Sequence, residues 1–399
     1  MTYLWLALAF ISAAVIAGVI FARLGGAKGE GRQHWRAVGL AFAALAVLTA
    51  VFDSAMIGMG LFHYDASHIL GAKVGLAPIE DFSYPLAGVV ALPGLWMWLT
   101  RKREGGHWQS RKGLLSQALL ASRPVSWINT AYPFAAAMLL TTREVTWVLV
   151  LGTFYFLIPY NLAMYGINDV FDYESDLKNP RKGGIEGALL QPRLHRPMLW
   201  LAAATNVPFL MVLAFVGGPA ALLSLAVSAF AVVAYSVAGL RFKERPVLDS
   251  LTSSTHFVSP AVVGLTLAGA VVTPGLLALL VGFFLWGMAA HAFGAVQDIE
   301  PDRQAGIGSI ATVIGARRTV RLAVVLWLIA GLAMLATPWP GPLGAIIAVP
   351  YIVNCAPWWN VTDTTAGGTN AAWRRFIWLN YGSGFLVTLI FILQWSQAS

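Results

Sequence analysis

Long apolar runs separated by short polar or glycine- and proline-rich intervals recur along the whole chain. They fall near 3–22, 37–60, 82–100, 125–142, 145–167, 198–217, 219–240, 252–272, 274–297, 320–336, 340–358 and 376–395. A helix that crosses a bilayer needs about 20 apolar residues. The pattern therefore predicts an all-α polytopic membrane protein with about twelve transmembrane helices. The intervals carry turn chemistry, as at Gly25-Gly26, Gly105-Gly106, Gly183-Gly184, Gly217-Gly218-Pro219, Pro338-Trp339-Pro340 and Gly367-Gly368. The first run is expected to be a span and not a signal peptide, because nothing basic precedes it and Arg23 follows it.

Basic residues give the spans an orientation. With twelve spans, 24 of the 26 Lys and Arg residues fall on one side, leaving Lys73 and Arg143 opposite. The positive-inside rule makes the rich side cytoplasmic and predicts both termini outside, in a multi-pass plasma-membrane protein. The interval 101–124 is polar and charged, so residues 106–123 are expected to be a cytoplasmic linker. It would divide a three-helix piece (1–105) from a nine-helix piece (124–399).

Composition narrows the class. Of 399 residues, 58% are hydrophobic and 11% charged, against about 25% charged in a soluble domain. Mean hydropathy is +0.70. A disordered chain, a soluble enzyme and a nucleic-acid binder are excluded, despite a net charge of +8. The single cysteine, Cys355, permits no intrachain disulfide or cysteine-rich metal site.

Ionisable residues at membrane depth are costly and usually functional. Asn168, Asp172 and Asp176 lie four apart at the end of the fifth span, so a helix places them on one face. Asp298 and Asp302 repeat the spacing at the end of the ninth, 126 residues later. Carboxylates converging at two cytoplasmic helix ends need a cation between them, and hard oxygen donors suit Mg²⁺ bridged to a diphosphate. Arg181, Lys182, Arg241, Lys243, Arg245 and Arg303 can neutralise phosphate oxygens and a leaving pyrophosphate. His291 lies seven residues before Asp298, on the same helical face, and is a candidate base. His256 and Tyr235 are weaker candidates.

Asn168-Asp169-x-x-Asp172-x-x-x-Asp176, Tyr235-Ser236 with Arg241-Phe242-Lys243, and Asp298-Ile299-Glu300-Pro301-Asp302-Arg303 resemble the UbiA superfamily of intramembrane prenyltransferases over roughly 120–399. The resemblance implies that Asn168, Asp172, Asp176, Asp298 and Asp302 hold Mg²⁺ and a prenyl diphosphate. Arg181, Lys182, Tyr235, Arg241 and Lys243 would then contact the diphosphate. Asp-Ile-Glu-Pro-Asp-Arg together with Asn179-Pro180-Arg181-Lys182-Gly183-Gly184 looks most like the lycopene elongase branch.

In the first hundred residues the polar signals are Asp53, inside the second span, and Pro78-Ile79-Glu80-Asp81 before the third. All three acids fall toward the outer face. An acid that protonates an alkene needs a raised pKa, which apolar burial supplies. Acids in the first turn of a helix also serve simply as caps. Phe52-Asp53, Gly60-Leu61-Phe62-His63-Tyr64 and Pro78-Ile79-Glu80-Asp81 are similar to one subunit of the bacterial heterodimeric lycopene cyclases, over roughly 1–105. That likeness implies catalytic roles for Asp53, Glu80 and Asp81, and a second lycopene cyclase subunit as partner.

Together the resemblances imply a lycopene elongase fused to a lycopene cyclase subunit. It would add five-carbon units from dimethylallyl diphosphate to the ends of lycopene, within the lipid bilayer. Two other readings compete. One is a prenyltransferase acting on a quinone or tetrapyrrole precursor. The other is a twelve-helix transporter, which would show two similar six-helix halves where this chain divides three plus nine.

Overall fold

The structure, a computed structural model, describes residues 2–25, 32–60, 62–100, 114–177 and 189–397. Helices α1 (Thr2–Gly25) and α2 (Arg32–Gly58) are followed by a two-stranded antiparallel ribbon, β1 (Lys73–Val74) against β2 (Ala77–Pro78). A short 3-10 turn, Ile79–Phe82, leads into α3 (Ser83–Thr100). Then come α4 (Leu114–Ala121), α5 (Ile128–Thr142), α6 (Trp147–Leu157), α7 (Pro159–Phe171), α8 (Tyr173–Asp176) and α9 (Pro192–Ser236). The chain ends with α10 (Leu248–Leu267), α11 (Pro274–Val296), α12 (Ile299–Ala305), α13 (Ile310–Ile314), α14 (Ala316–Met334), α15 (Ala348–Cys355) and α16 (Asn370–Gln397). It divides into two compact units, Met1–Trp108 with Ile392–Ser399, and Gln109–Phe391.

Among the described residues, seven helical stretches are long and apolar enough to cross a membrane. One of them, α9, runs for 45 residues, about twice what a bilayer core requires. It is broken at Gly218, whose φ of 68° and ψ of −169° belong to a region essentially restricted to glycine. The expected boundary at Gly217-Gly218-Pro219 is thus a sharp break that divides α9 into two helices. Large apolar side chains such as Trp200, Phe215 and Trp378 are exposed, while Asn161, Asn206, Ser228, Ser254 and Ser259 are buried. An apolar outside around a partly polar inside is the arrangement lipid favours. The protein is an all-helical, multi-pass membrane protein.

Backbone breaks inside the larger unit are satisfied by side chains. Between α6 and α7, Pro159 supplies no N–H and leaves carbonyls without helical partners. Asn161 Nδ2 donates to the Phe156 carbonyl at 2.8 Å, Thr130 Oγ1 donates to the same carbonyl at 2.6 Å, and Asn206 Nδ2 donates to the Pro159 carbonyl at 2.7 Å. Three helices are tied to one break.

Helix α4 departs from the linker expectation for 106–123. Its Gln117, Ala118 and Ala121 are buried, and Ala118 and Ala121 share an apolar cluster with Leu162, Leu190 and Met198. Its short, small-residue face was masked by the charges that precede it.

Close helix crossings depend on missing side chains. A Cβ on Gly18 of α1 would lie 2.6 Å from the Val90 carbonyl oxygen of α3, and one on Gly264 of α10 would lie 2.7 Å from the Phe134 carbonyl oxygen of α5. Gly18→Val and Gly264→Val are each expected to destabilise the protein by about 1–3 kcal/mol, read from denaturant unfolding in detergent micelles. Gly88→Ala, where the added carbon meets only Leu92 Cδ1 at 3.9 Å, is expected to leave stability unchanged or slightly raised.

Candidate active site

The two sequence motifs have the same backbone. Asp172 closes α7 with φ −99° and ψ 1°, and Asp298 opens α12 with φ −101° and ψ 3°. Both lie in the sparsely populated bridge region, where many active-site residues sit. Each is followed by a short helix carrying the second aspartate, Asp176 in α8 and Asp302 in α12. The i to i+4 bonding continues across both breaks. The Asp172 N–H reaches the Asn168 carbonyl and the Asp302 N–H reaches the Asp298 carbonyl, each at 2.9 Å. Asn168, Asp172 and Asp176 are thus not on one regular helix, because the chain bends at Asp172. Both bends fall where α7 and α11 end, and a helix C-terminus carries partial negative charge. Acids placed there concentrate negative potential and attract cations.

The loop after α9 answers the first site. Arg241 takes a left-handed conformation (φ 41°) that starts the 3-10 turn Phe242–Glu244. Lys243 Nζ donates to Asn168 Oδ1 at 3.1 Å and to Asp172 Oδ1. Arg241 reaches Asp172 Oδ1 at 3.5 Å, the Phe171 carbonyl at 3.4 Å and Glu244 at 3.0 Å. Ser236, the last residue of α9, donates its hydroxyl to Asn168 Oδ1 at 2.9 Å. Burial pushes the Lys243 ammonium below its usual range, while the Asp172 charge pulls it back up. The same loop packs against the turn after α12, since a Cβ on Gly308 would lie 2.7 Å from the Glu244 carbonyl oxygen.

Asn168 Oδ1 and Asp172 Oδ1 therefore converge on one positive charge. Such hard oxygen donors fit Mg²⁺, which commonly takes one or two protein carboxylates and completes its shell with water and substrate phosphates. Among the described residues, no three carboxylate, imidazole or thiolate groups stand close enough to hold a metal by themselves. The expected convergence of four carboxylates includes Asp176, whose side chain is not among the described residues, while Asp172 itself is paired with Lys243 and Arg241. Asp298 and Asp302 are half-buried at the matched bend. The side chain of Asp176 lies outside the described residues, as do Arg181 and Lys182.

Inward from these acids lies a histidine layer. His291 Nε2 is 3.3 Å from the Tyr235 hydroxyl, and its Nδ1 is 3.2 Å from Ser250 Oγ. Tyr235, expected at the diphosphate, thus holds His291. The Tyr235 ring packs edge-on against His256, with centroids 5.1 Å apart. Asp249, fully buried, caps this region by accepting from the Ser250 N–H at 2.7 Å and the Ile310 N–H at 2.8 Å.

Two assignments change. Arg123, grouped with the linker by its charge, donates to the buried Asp169 at 3.3 Å and lies 4.2 Å from the centre of the Tyr165 ring. Its signal in sequence is Arg123-Pro124 directly before an apolar run. Arg303, expected near phosphate, donates to Asp363 Oδ2 at 2.7 Å and twice to the Thr312 carbonyl, at 2.7 and 3.2 Å. Its role is to fasten the turn after α12.

In the smaller unit, Glu80 and Asp81 are 7% and 8% exposed. Glu80 Oε1 accepts the Leu70 N–H at 2.5 Å, while its Oε2 is buried without a hydrogen-bond partner. The Tyr64 hydroxyl is 2.9 Å from both carboxylate oxygens of Asp81. Burial pushes the Asp81 carboxyl up to about 6, with Tyr64 opposing the rise and the Asp53 charge adding to it. Asp53 lies in an open surface depression with Leu45, Leu48, Phe52, Tyr84 and Pro85.

A multi-pass helical membrane protein with paired acids at two helix ends, answered by a basic loop, defines a narrow class. Residues 130–380 match the UbiA prenyltransferase family, and the chain belongs to that family. It is 48% identical over 405 residues to the C(50) beta-cyclic carotenoids biosynthesis protein LbtBC of Dietzia sp. (strain CQ4), covering 92% of this chain and 94% of that one. It is 52% identical over 274 residues to the lycopene elongase/hydratase of Corynebacterium glutamicum (strain ATCC 13032), covering 69% of this chain and 96% of that one. A solved structure of a digeranylgeranylglyceryl phosphate synthase superposes with a TM-score of 0.55 at 16% identity, over 71% of this chain and 99% of that one, which shows the shared fold.

Arg123→Ala is expected to cost about 3 kcal/mol of stability, because it takes the guanidinium from a buried carboxylate. Adding Asp169→Asn should recover part of that loss in the same denaturant titration. The raised Asp81 carboxyl makes a separate prediction. Between its unfolded pKa near 4 and its folded value of about 6, the folded state holds a proton that the unfolded state releases. The Asp81 contribution to stability is therefore greatest at low pH and falls as pH rises through that window. Asp81→Asn is expected to flatten the fall in melting temperature between about pH 4 and about pH 7.

Proposed function

We propose that the chain is a two-part enzyme of fifty-carbon carotenoid synthesis. Residues 124–399 form a lycopene elongase, and residues 1–105 form one subunit of a lycopene cyclase that works with a second subunit. Twelve spans carry the two parts, with both termini outside and the prenyl-transfer site toward the cytoplasmic face. The observation that carries the elongase reading is the meeting of Asn168 Oδ1 and Asp172 Oδ1 on Lys243, with the same backbone repeated at Asp298. The relatives named as a lycopene elongase/hydratase and a C(50) carotenoid biosynthesis protein support lycopene as the acceptor.

Asn168, Asp172, Asp176, Asp298 and Asp302 are the residues that would hold Mg²⁺, which when bound neutralises diphosphate charge and favours departure of pyrophosphate. Lys243 and Arg241, with Arg181 and Lys182, bind the diphosphate of dimethylallyl diphosphate and take up the charge of the leaving group. The carbon–oxygen bond breaks to give an allylic cation. The terminal double bond of lycopene attacks it, forming a new carbon–carbon bond and a tertiary cation. Addition at both ends takes forty carbons to fifty. In the smaller unit, Glu80, Asp81 and Asp53 form the acid cluster that protonates an alkene for ring closure, and the unpartnered, buried Glu80 Oε2 supports that reading.

Asp172→Ala and Asp298→Ala are each expected to reduce elongated carotenoid at least tenfold in lycopene-making cells, with membrane insertion retained. Normal elongation in either variant overturns the assignment. Glu80→Gln, co-expressed with a second cyclase subunit, is expected to accumulate the acyclic elongated product while leaving elongation intact.

A further inference from the structure

The proposed reaction leaves a tertiary cation that must lose a proton to end as an alkene, and none of the groups at the diphosphate is committed to that step. Two histidines of the larger unit, the buried His256 and the half-buried His291, lie near enough to be considered. His291 has its two ring nitrogens engaged, by Tyr235 at 3.3 Å and by Ser250 at 3.2 Å. His256 differs. It is 3% exposed, and its Nε2 has no hydrogen-bond partner. In a neutral imidazole one nitrogen carries the hydrogen and the other a lone pair. Nothing in the structure bonds Nε2, so it is open to act as the basic nitrogen. A buried imidazole with a bare ring nitrogen is configured as a base.

Its position suits the later step of the reaction. Ser236 donates to Asn168 Oδ1, the adjacent Tyr235 packs on the His256 ring at 5.1 Å, and the Tyr160 hydroxyl is 3.4 Å from the His256 carbonyl. Tyr160 precedes Asn168 by two turns of α7, or about 12 Å at 1.5 Å per residue. His256 thus belongs to a layer inward of the diphosphate-binding loop. Positive charge moves that way, from the departing C–O bond to the acceptor carbon.

We propose that His256 ends prenyl transfer. Its Nε2 takes a proton from the carbon beside the tertiary cation, the electron pair of that C–H bond becomes the new C=C bond, and the ring becomes imidazolium until solvent takes the proton as product leaves. His291, both of whose ring nitrogens are engaged, takes no part in the proton transfer. This inference rests on the elongase reading above.

The test uses the full chain in lipid nanodiscs with lycopene, dimethylallyl diphosphate and Mg²⁺. Pyrophosphate release is followed alongside the ratio of alkene to the alcohol one water heavier. His256→Asn keeps a polar side chain on the same face of α10 and removes Nε2. It is expected to lower the alkene-to-alcohol ratio at least tenfold, the lower part of the range for a general base, while pyrophosphate release falls much less. His291→Gln is expected to leave the ratio within about twofold. If His256→Asn does not insert, His256→Gly with added imidazole decides the matter, and recovery of the alkene is expected. An unchanged ratio in His256→Asn, or no recovery with imidazole, assigns the proton to pyrophosphate or water and overturns the role. Wild-type protein that makes no elongated carotenoid overturns the elongase reading instead.

Discussion

Asn168 Oδ1 and Asp172 Oδ1 meet on the ammonium of Lys243, and one end of the larger unit is arranged around that meeting. Asp172 sits at the C-terminus of α7, where the helix dipole already disfavours negative charge. Near the edge of a low-dielectric medium such an acid needs a cation, and the loop after α9 bends through a left-handed Arg241 to deliver two. The bend has further consequences. It sets Ser236 on the Asn168 oxygen, brings the Glu244 carbonyl against Gly308, and starts α10 where Asp249 accepts the Ile310 N–H that begins α13. Electrostatic need at one carboxylate thus joins α7, α9, α10 and the turn after α12.

The same unit is layered by depth. Acids and cations occupy the helix ends, histidines and tyrosines lie about two turns inward, and apolar packing follows. Buried polar groups at the inner layer are mostly satisfied: the Tyr160 hydroxyl accepts from Ser228 at 3.2 Å, and Ser259 donates to Ser228 at 2.8 Å. Against that background an unpartnered imidazole nitrogen stands out, because a buried polar atom without a partner is costly. A diphosphate and an isoprenoid chain present the same sequence of environments, charged at one end and apolar at the other.

In the smaller unit a tyrosine hydroxyl lies between the two oxygens of one acid while a second acid keeps a bare oxygen. Both are held by a short turn whose backbone is anchored when the Ile79 N–H donates to the Ala72 carbonyl at 3.0 Å. The β1–β2 ribbon and the Gly18 crossing of α1 on α3 give that turn a rigid support. Burial there favours the neutral form of Asp81, the form an acid catalyst needs.

Much of this could be read along the chain, because lipid imposes a strong one-dimensional code. Apolar runs of span length, the break at Gly217-Gly218-Pro219 and the Asp-x-x-x-Asp pairs were all visible, as each depends on local composition or spacing. Lys243 and Arg241 were legible as cations on the same expected side as the acids and through the resemblance of their motif, while their contact with Asp172, about 70 residues away, was not. What only the tertiary structure decided were the pairings between distant segments. Arg123 has the composition of a linker and becomes a partner of Asp169 because α4 and the turn after it pack on α7. Arg303 has the spacing of a phosphate ligand and instead fastens Asp363. Tyr235 and the two histidines look alike as polar residues in apolar helices. Which nitrogen is engaged and which is bare depends on where neighbouring helices place Ser250 and the Tyr235 hydroxyl, and local sequence does not encode the positions of other helices.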